Sequence, residues 1–485
     1  MPISKSTRNF LAYLLGTTIV LFGTILLGAM ATGWQYNPST GELNDTGLII
    51  MSTEPSNAKI SLNNKLLPSK TPYRAINVIP GEYTVQYDLE NYRPWLKKTQ
   101  VDAERVSFAD YAWLIPNQIP SRLRYADQRI ISSTQSVDRK RFAFVEQSAP
   151  TNPAIPVKLS ISYAGDLSRP PINLYTPTED TTNPITTLDS LSLNADSSWL
   201  LFRQIDTNKV VSWRLIPTNP NEQARQINLT ETTKDQPSWI GWSDSEGNDL
   251  FYISNTNLRR LQVNERKLSD PVADGVITAK WTNNHLMTVE VLSDGLRWLR
   301  VRPKSNLSSP ISITQVPTSD SYSLEYFRLF DHDYAAVLPS STKQLSITRD
   351  IILNSDQRVT SISGKNVTAF TVNRSGRYIV QNENDTLYTI DLERNLRYRF
   401  KTPLAGLTSW QWMNDQHLAV VTQNQLRLMD YDGQNDQLIS NTITPSSPIL
   451  FWDNKSLLSF VTPGGNDANR SRLTHFFLTP DKILE

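Results

Sequence analysis

The sequence predicts an all-β chain behind one N-terminal transmembrane helix, with a small antiparallel β module first and a β-propeller after it. Three observations predict this. Residues 10–31 form an apolar run without a charge, and residues beyond 46 alternate polar and apolar in twos. After that, a phrase of large apolar residue, polar turn and apolar strand recurs about every 45 residues. The expected order is a cytoplasmic stub at 1–9, the helix at 10–32, a linker at 33–46, the β module at 47–102, a connector at 103–128 and the propeller at 129–480.

Composition sets the frame. At 485 residues, with 39% hydrophobic and 20% charged, the chain is globular and long enough for two or three units. Its 48 Lys and Arg nearly cancel its 47 Asp and Glu, so no broad basic field exists to attract nucleic acid. The absence of Cys excludes disulfide scaffolds, thiolate metal sites and a Cys nucleophile.

The run FLAYLLGTTIVLFGTILLGAMA (10–31) is long enough as a helix, at about 33 Å, to cross a hydrocarbon core of about 30 Å. Lys5 and Arg8 precede it, and the first charges after it are Glu42 and Asp45. The positive-inside rule then puts the N-terminus in the cytoplasm and the remainder outside, as a single-pass protein of the cell surface or periplasm. Ala29-Met30-Ala31 also fits a signal-peptidase site, but the run exceeds the usual apolar core of a signal peptide, which favours an uncleaved anchor.

The polar stretch GWQYNPSTGELNDT (33–46) reads as a linker. In AKISLNN, Ala58, Ile60 and Leu62 share one face and Asn63-Asn64 offers a turn. In YTVQYDL, Tyr83, Val85, Tyr87 and Leu89 share one face, and Pro80-Gly81 ahead of them suits a type II turn. A small antiparallel domain with one buried face follows from these patterns.

The same residues resemble the PEGA domain. Pro55 and Ala58 precede the second strand, Thr71-Pro72 follows it, Pro80-Gly81-Glu82-Tyr83 opens the third, and the aromatic Tyr92 closes the pattern. Asn63-Asn64 stands where Asp-Gly is usual, and Asn91 where Gly commonly precedes the aromatic. The resemblance spans about 47–102 and implies a non-catalytic surface module of the bacterial cell envelope.

The recurring phrase is clearest in WTNNHLMTVEV (281–291) and WMNDQHLAVVT (412–422). Its anchors are at 137, 193, 242, 281, 330, 372, 412 and 452. A period of this size with four short strands per unit indicates a β-propeller. Eight anchors favour eight blades, and a Pro-rich first interval leaves seven as the alternative. One unit reads as LTSWQWM, HLAVVTQ, QLRLMDYDG and DQLISN, four strands in series. The last unit lacks a fourth strand, which a segment within SRLRYADQRIISS (121–133) could supply, closing the ring. LNADSSWLLFR and VNRSGRYIVQ resemble the hairpins of TolB-type and WD-type repeats.

The phrase places His285 and His417 at equivalent turn positions of two blades, read as solvent-exposed or edge residues and not as ligands. Asp331-His332-Asp333 is the most metal-like triplet, yet it too occupies a turn, and His475 in RLTHFFL reads as a strand residue. No nucleophile elbow, zinc-protease motif, phosphate loop or dinucleotide fingerprint occurs, and NDANRS (466–471) is too short for a calcium loop. The expectation is no catalytic residue, no cofactor and no metal.

Among 12 Trp, the pairs Trp239 and Trp242, and Trp410 and Trp412, stand near blade starts. Most Trp of this kind pack between blades; a minority could open onto the channel and stack on a sugar or peptide, so these four are the candidate ligand contacts. The predicted function is a membrane-anchored, non-catalytic envelope scaffold that binds protein, peptide or glycan. The alternatives are a propeller hydrolase or lyase acting on envelope polysaccharide, and a purely structural part of a larger assembly.

Overall fold

A computed structural model of the chain describes residues 5–31, 34–37, 42–147, 157–163, 169–177, 183–243, 249–282, 285–352, 358–401, 406–443, 449–452, 456–461 and 471–478. Met1–Ile119 and Pro120–Leu478 fall into two compact units.

The first unit opens with the helix Lys5–Ala31. The apolar run is helical throughout, and its large side chains are exposed, Phe10, Tyr13, Val20 and Phe22 among them. Among the described residues no helix is long and apolar enough to cross a membrane. The region read as a linker instead holds a hairpin, Trp34–Asn37 paired antiparallel with Glu42–Asp45.

The β module is two packed sheets. One orders Tyr73–Val78, Gly47–Glu54 and Val106–Trp113; the other orders Lys65–Lys70, Lys59–Leu62, Gly81–Asp88 and Trp95–Val101. The alternation works as read, since Ala58, Ile60, Val85 and Tyr87 are fully buried and pack with Ile49, Met51 and Trp95. Tyr87 stacks on Trp95 at 5.1 Å, and its hydroxyl donates to the Ala109 carbonyl at 2.5 Å. Asn63 and Asn64 both take left-handed φ, 48° and 65°, in the hairpin turn, and Asn91 takes 68°, which is why Asn can replace Gly at those sites.

Two expectations are corrected here. The module is not wholly antiparallel, because Val106–Trp113 returns to pair parallel with Gly47–Glu54. The module therefore extends past 102 into the presumed connector. At Pro80-Gly81 there is no type II turn: Gly81 is already near-extended at φ 157°, and the positive φ nearby, 58° at Asn77, belongs to a bulge in the preceding strand Tyr73–Val78.

Among the described residues the second unit holds six four-stranded antiparallel sheets and one of seven strands, which divides at a shared strand into two of four, so that eight sheets stand in a propeller-like arrangement. Six begin at Ile185, Trp239, Val276, Tyr322, Val367 and Leu407, and each takes four consecutive strands. The remaining two, the first and the eighth, share one long strand, Ser121–Gln135. Its second half, from Arg129, pairs with Arg141–Gln147 of sheet 1. Its first half pairs with Ser471–Phe477 of sheet 8, with Ser121 opposite Phe476 and Arg122 opposite His475. The presumed connector thus ends inside the ring, and the strand sought at 121–133 completes the eighth sheet.

Apolar faces pack each sheet on its neighbour. Val145 and Leu159 of sheet 1 meet Leu200 and Phe202 of sheet 2. Further along, Phe251 and Ile253 meet Trp281 and Leu286, and Val289 and Leu299 meet Leu324 and Tyr326. Tyr378 of sheet 6 stacks on Tyr431 of sheet 7 at 4.3 Å. Phe142 and Phe144 of sheet 1 cluster with Leu450 and Leu473 of sheet 8.

Three of the recurring polar turns share a lock. Asn194 Oδ1 accepts from the Trp199 N–H at 2.8 Å, Asn373 Oδ1 from that of Tyr378 at 2.9 Å, and Ser136 Oγ from that of Arg141 at 2.9 Å. A side-chain acceptor at this point closes the turn that aims the second strand back along the first.

Gly376 closes the turn of sheet 6 at φ 76°, and a Cβ there would stand 2.4 Å from the Arg328 carbonyl oxygen of sheet 5. Gly295 has φ 78° with open space around it. Gly295→Ala should therefore cost about 1 kcal/mol, the left-handed penalty alone. Gly376→Ala should cost clearly more in the same urea-unfolding experiment; equal costs would contradict this packing of sheet 6 on sheet 5.

Candidate functional site

The inner strands of sheets 3 to 6 wall a cavity of about 510 Å³, lined by Trp239, Trp242, Lys280, Trp281, Glu325 and Phe370 among others. These strands lie side by side, Trp239–Trp242 next to Val276–Thr282 and the latter next to Tyr322–Leu329. Lys280 and Glu325 reach across from adjoining sheets, with Nζ and Oε2 2.5 Å apart. Trp239 is half-buried, and its ring lies over Gly241, where a Cβ would come within 2.7 Å of Cζ2. Because 239 and 241 are two apart on a strand they share a face, and the missing side chain at 241 lets the indole lie along the backbone. Trp281 is buried against Phe251, and its Nε1 has no acceptor among the described residues.

The four Trp named from sequence divide. Trp239 and Trp242 both line this cavity. Trp242 is 8% exposed, and its Nε1 donates to the Ser192 carbonyl of sheet 2 at 3.0 Å, so it serves chiefly as a clamp between sheets. Trp410 and Trp412 lie on the inner strand of sheet 7, outside the lining of that cavity. Trp412 is buried with its ring 6.3 Å from that of Tyr378. Sequence reasoning passed over Lys280, Glu325 and Phe370. Each lies just ahead of an anchor at 281, 330 or 372, on an inner strand, and that register was the available signal.

The histidines are not brought together: they sit in sheets 4, 5, 7 and 8. His417 is corrected from a solvent-exposed or edge position to a buried one. It begins an inner hairpin strand, with Nδ1 2.9 Å from Asn414 Oδ1 and Nε2 3.6 Å from Asp430. His285 lies over Tyr326 at 4.2 Å, and burial holds its pKa down against the pull of Asp333. His332 pairs with Asp350 at 2.6 Å beside Arg349, while Asp331 is fully exposed. His475 is the strand residue expected, buried and stacked on Phe477 at 4.1 Å. Among the described residues no three His, Asp or Glu gather into a metal-binding group. Residues 466–470 of NDANRS, and the Pro-rich 148–155, lie outside the described residues.

One deeply buried cluster of charges is structural. Glu290 on the second strand of sheet 4 receives Arg302 from the third strand, Arg300 Nη1 at 2.7 Å and the Thr288 hydroxyl. Burial pushes the Glu290 pKa up, but these hydrogen bonds and the Arg302 charge outweigh it and hold the carboxyl below its usual value. Thr288, Glu290, Arg300 and Arg302 occupy one face; Met287, Val289, Leu299 and Val301 occupy the other and pack on sheet 5.

With this geometry in view, the comparisons can be placed. Residues 46–112 match the PEGA domain family. That span includes the parallel return strand up to Ala112 and exceeds the 47–102 read from sequence. No curated protein matches the chain. Among solved structures, a eukaryotic initiation factor is similar at 12% identity and TM-score 0.46, covering 76% of this chain and 91% of its own. Kluyveromyces lactis Hsv2p is similar at 12% and 0.36, covering 60% and 96%. A prolyl endopeptidase is similar at 10% and 0.46, covering 70% of this chain and 55% of its own. At these scores the likenesses carry no argument, and the fold rests on the strand pairing.

The Glu290 cluster gives a pH prediction. The folded pKa lies below the unfolded value near about 4.3, so its stabilisation is complete above that pH and is lost as pH falls through the folded pKa. Glu290→Gln should destabilise the chain by about 3–5 kcal/mol at pH 7, because Arg302 is left buried without its carboxylate. The difference in melting temperature between the two proteins should shrink below pH 4. A difference that stays constant from pH 7 to pH 3 would contradict this role.

Proposed function

We propose that the chain is a membrane-anchored, extracytoplasmic binding scaffold of a bacterial cell envelope. The cavity walled by the inner strands of four successive sheets is the observation that carries the binding reading. A rigid frame presents aromatic and ionic side chains from separate sheets in one concave site, which is what ligand pockets require. The described lining has one carboxylate, Glu325, held by Lys280, whereas polysaccharide hydrolysis works through a pair. This favours binding over the hydrolase alternative.

Anchoring is supported by the helix Lys5–Ala31, whose apolar run carries large side chains exposed from Phe10 to Leu27. Water would exact a heavy cost for that surface, and a bilayer would remove it. Lys5 and Arg8 before the run place the N-terminus in the cytoplasm on this reading. The PEGA match between helix and propeller suits a non-catalytic envelope module.

Alkaline extraction of membranes tests the anchor. The full chain should stay in the membrane pellet. Val20→Arg combined with Leu21→Arg should release it, since each Arg at a helix centre costs about 2.5–3.5 kcal/mol of insertion. A full chain that washes off without these changes would overturn the anchored reading.

A further inference from the structure

We infer that the cavity between the inner strands of sheets 3 to 6 is a saccharide site, with Trp239 as its stacking platform and the Lys280–Glu325 pair as its polar wall. This rests on the binding reading above and names its ligand class.

Gly241 sets the position of the Trp239 ring. Any side chain there would collide with the Trp239 ring, since Cζ2 and Cη2 stand 2.7 and 2.8 Å from the place of a Cβ. The indole is therefore laid on the strand; the half-buried ring also packs on the cluster of Phe251, Ala279 and Trp281, and what it leaves exposed lines the cavity. A flat, immobilised apolar surface of this kind suits a ligand with a flat face of C–H groups and loses little conformational entropy on binding.

The facing wall is polar. Lys280 and Glu325 side chains are 43% and 23% exposed, so both remain open to a ligand while bound to each other at 2.5 Å. Their charges cancel. An anion drawn to Lys280 meets Glu325, and a cation over the aromatic rings meets Lys280, so neither is favoured. A neutral polyol satisfies both, because its hydroxyls accept from the ammonium and donate to the carboxylate. Thr278 and Ser323, each two residues before one of the pair, add hydroxyls to the same lining. Trp281, 8% exposed, adds to the aromatic part of the lining. An apolar face, a rim of hydroxyls and no net charge together describe a pyranose ring. At about 510 Å³ the cavity is in the range of small-molecule sites and has room for a short saccharide.

Calorimetric titration of the detergent-solubilised full chain with cellobiose, maltose, lactose, mannobiose and di-N-acetylchitobiose tests this. At least one should bind saturably at millimolar concentration or below. Trp239→Ala should weaken that binding about tenfold or more, as removal of an aromatic anchor does. Gly241→Ala, which keeps the indole but lifts it from the strand, should weaken it as well. Trp410→Ala, outside the cavity, should bind as the unaltered chain does, and matching melting temperatures show that each variant is folded. Binding of none of the five, or binding indifferent to Trp239→Ala, overturns the inference. If none of the five sugars binds while the immobilised unaltered chain still retains envelope proteins, the saccharide site is wrong and the scaffold stands. If the unaltered chain retains no envelope component at all, the scaffold reading itself has failed.

Discussion

The strand Ser121–Gln135 belongs to two sheets at once, and the rest of the ring depends on it. Eight sheets follow one another along the chain, but among the described residues the last has only three strands of its own, Leu450–Trp452, Ser456–Val461 and Ser471–Phe477. The fourth comes from the start of the ring, in antiparallel register with Ser471–Phe477. Without that pairing the eighth sheet would show an open edge, and the Phe142, Phe144, Leu450 and Leu473 cluster would lose the geometry that joins first to last. Gln135 adds a polar seal, accepting the Phe451 N–H through Oε1 at 3.0 Å. Closure is therefore a long-range interaction that covers an edge and buries an apolar seam together.

From closure follows the site. In a ring the first strand of every sheet faces the centre, so residues some forty positions apart in sequence meet there. Trp239, Lys280, Glu325 and Phe370 come from four sheets. None of them touches another through local sequence; the frame alone sets their spacing. The buried cluster around Glu290 serves the frame and not the site, since its face of sheet 4 is turned away from the apolar face that packs on sheet 5. Chemistry and architecture thus use charged residues differently. The site keeps a half-exposed pair open to ligand, and the frame holds its pairs out of water.

Much of this was legible in the sequence because it is periodic. The anchors at 137, 193, 330, 372 and 412 each stand at a described turn between two strands, and the strands read from LTSWQWM to DQLISN correspond to Leu407–Trp412, His417–Thr422, Gln425–Asp430 and Gln437–Ser440. The burial of Ala58, Ile60, Val85 and Tyr87 follows the two-residue alternation directly. What escaped lacks local periodicity. Val106–Trp113 buries Ser107, Ala109 and Ala112 while Val106 and Phe108 are exposed, so its pattern points the wrong way, and a parallel partner sixty residues distant leaves no hairpin signal. His417 was read by analogy with exposed turns; the preceding Asn414 takes up the turn's hydrogen bonds and lets the imidazole go inside. Of the candidate site, aromatic pairs could be seen, but which pair faced the cavity depended on ring position. Lys280 and Glu325 are ordinary charges until two sheets bring them together.

Hydrogen exchange of the full chain, followed peptide by peptide, tests ring closure most directly. The account predicts that amides of 121–128 are protected as strongly as those of 471–477 and open with them in one event, because the two segments share a hydrogen-bonded register. Rapid exchange across 121–128 while 456–461 and 471–477 stay protected would show a three-stranded last sheet with an open edge, and would contradict the closed ring on which the site depends.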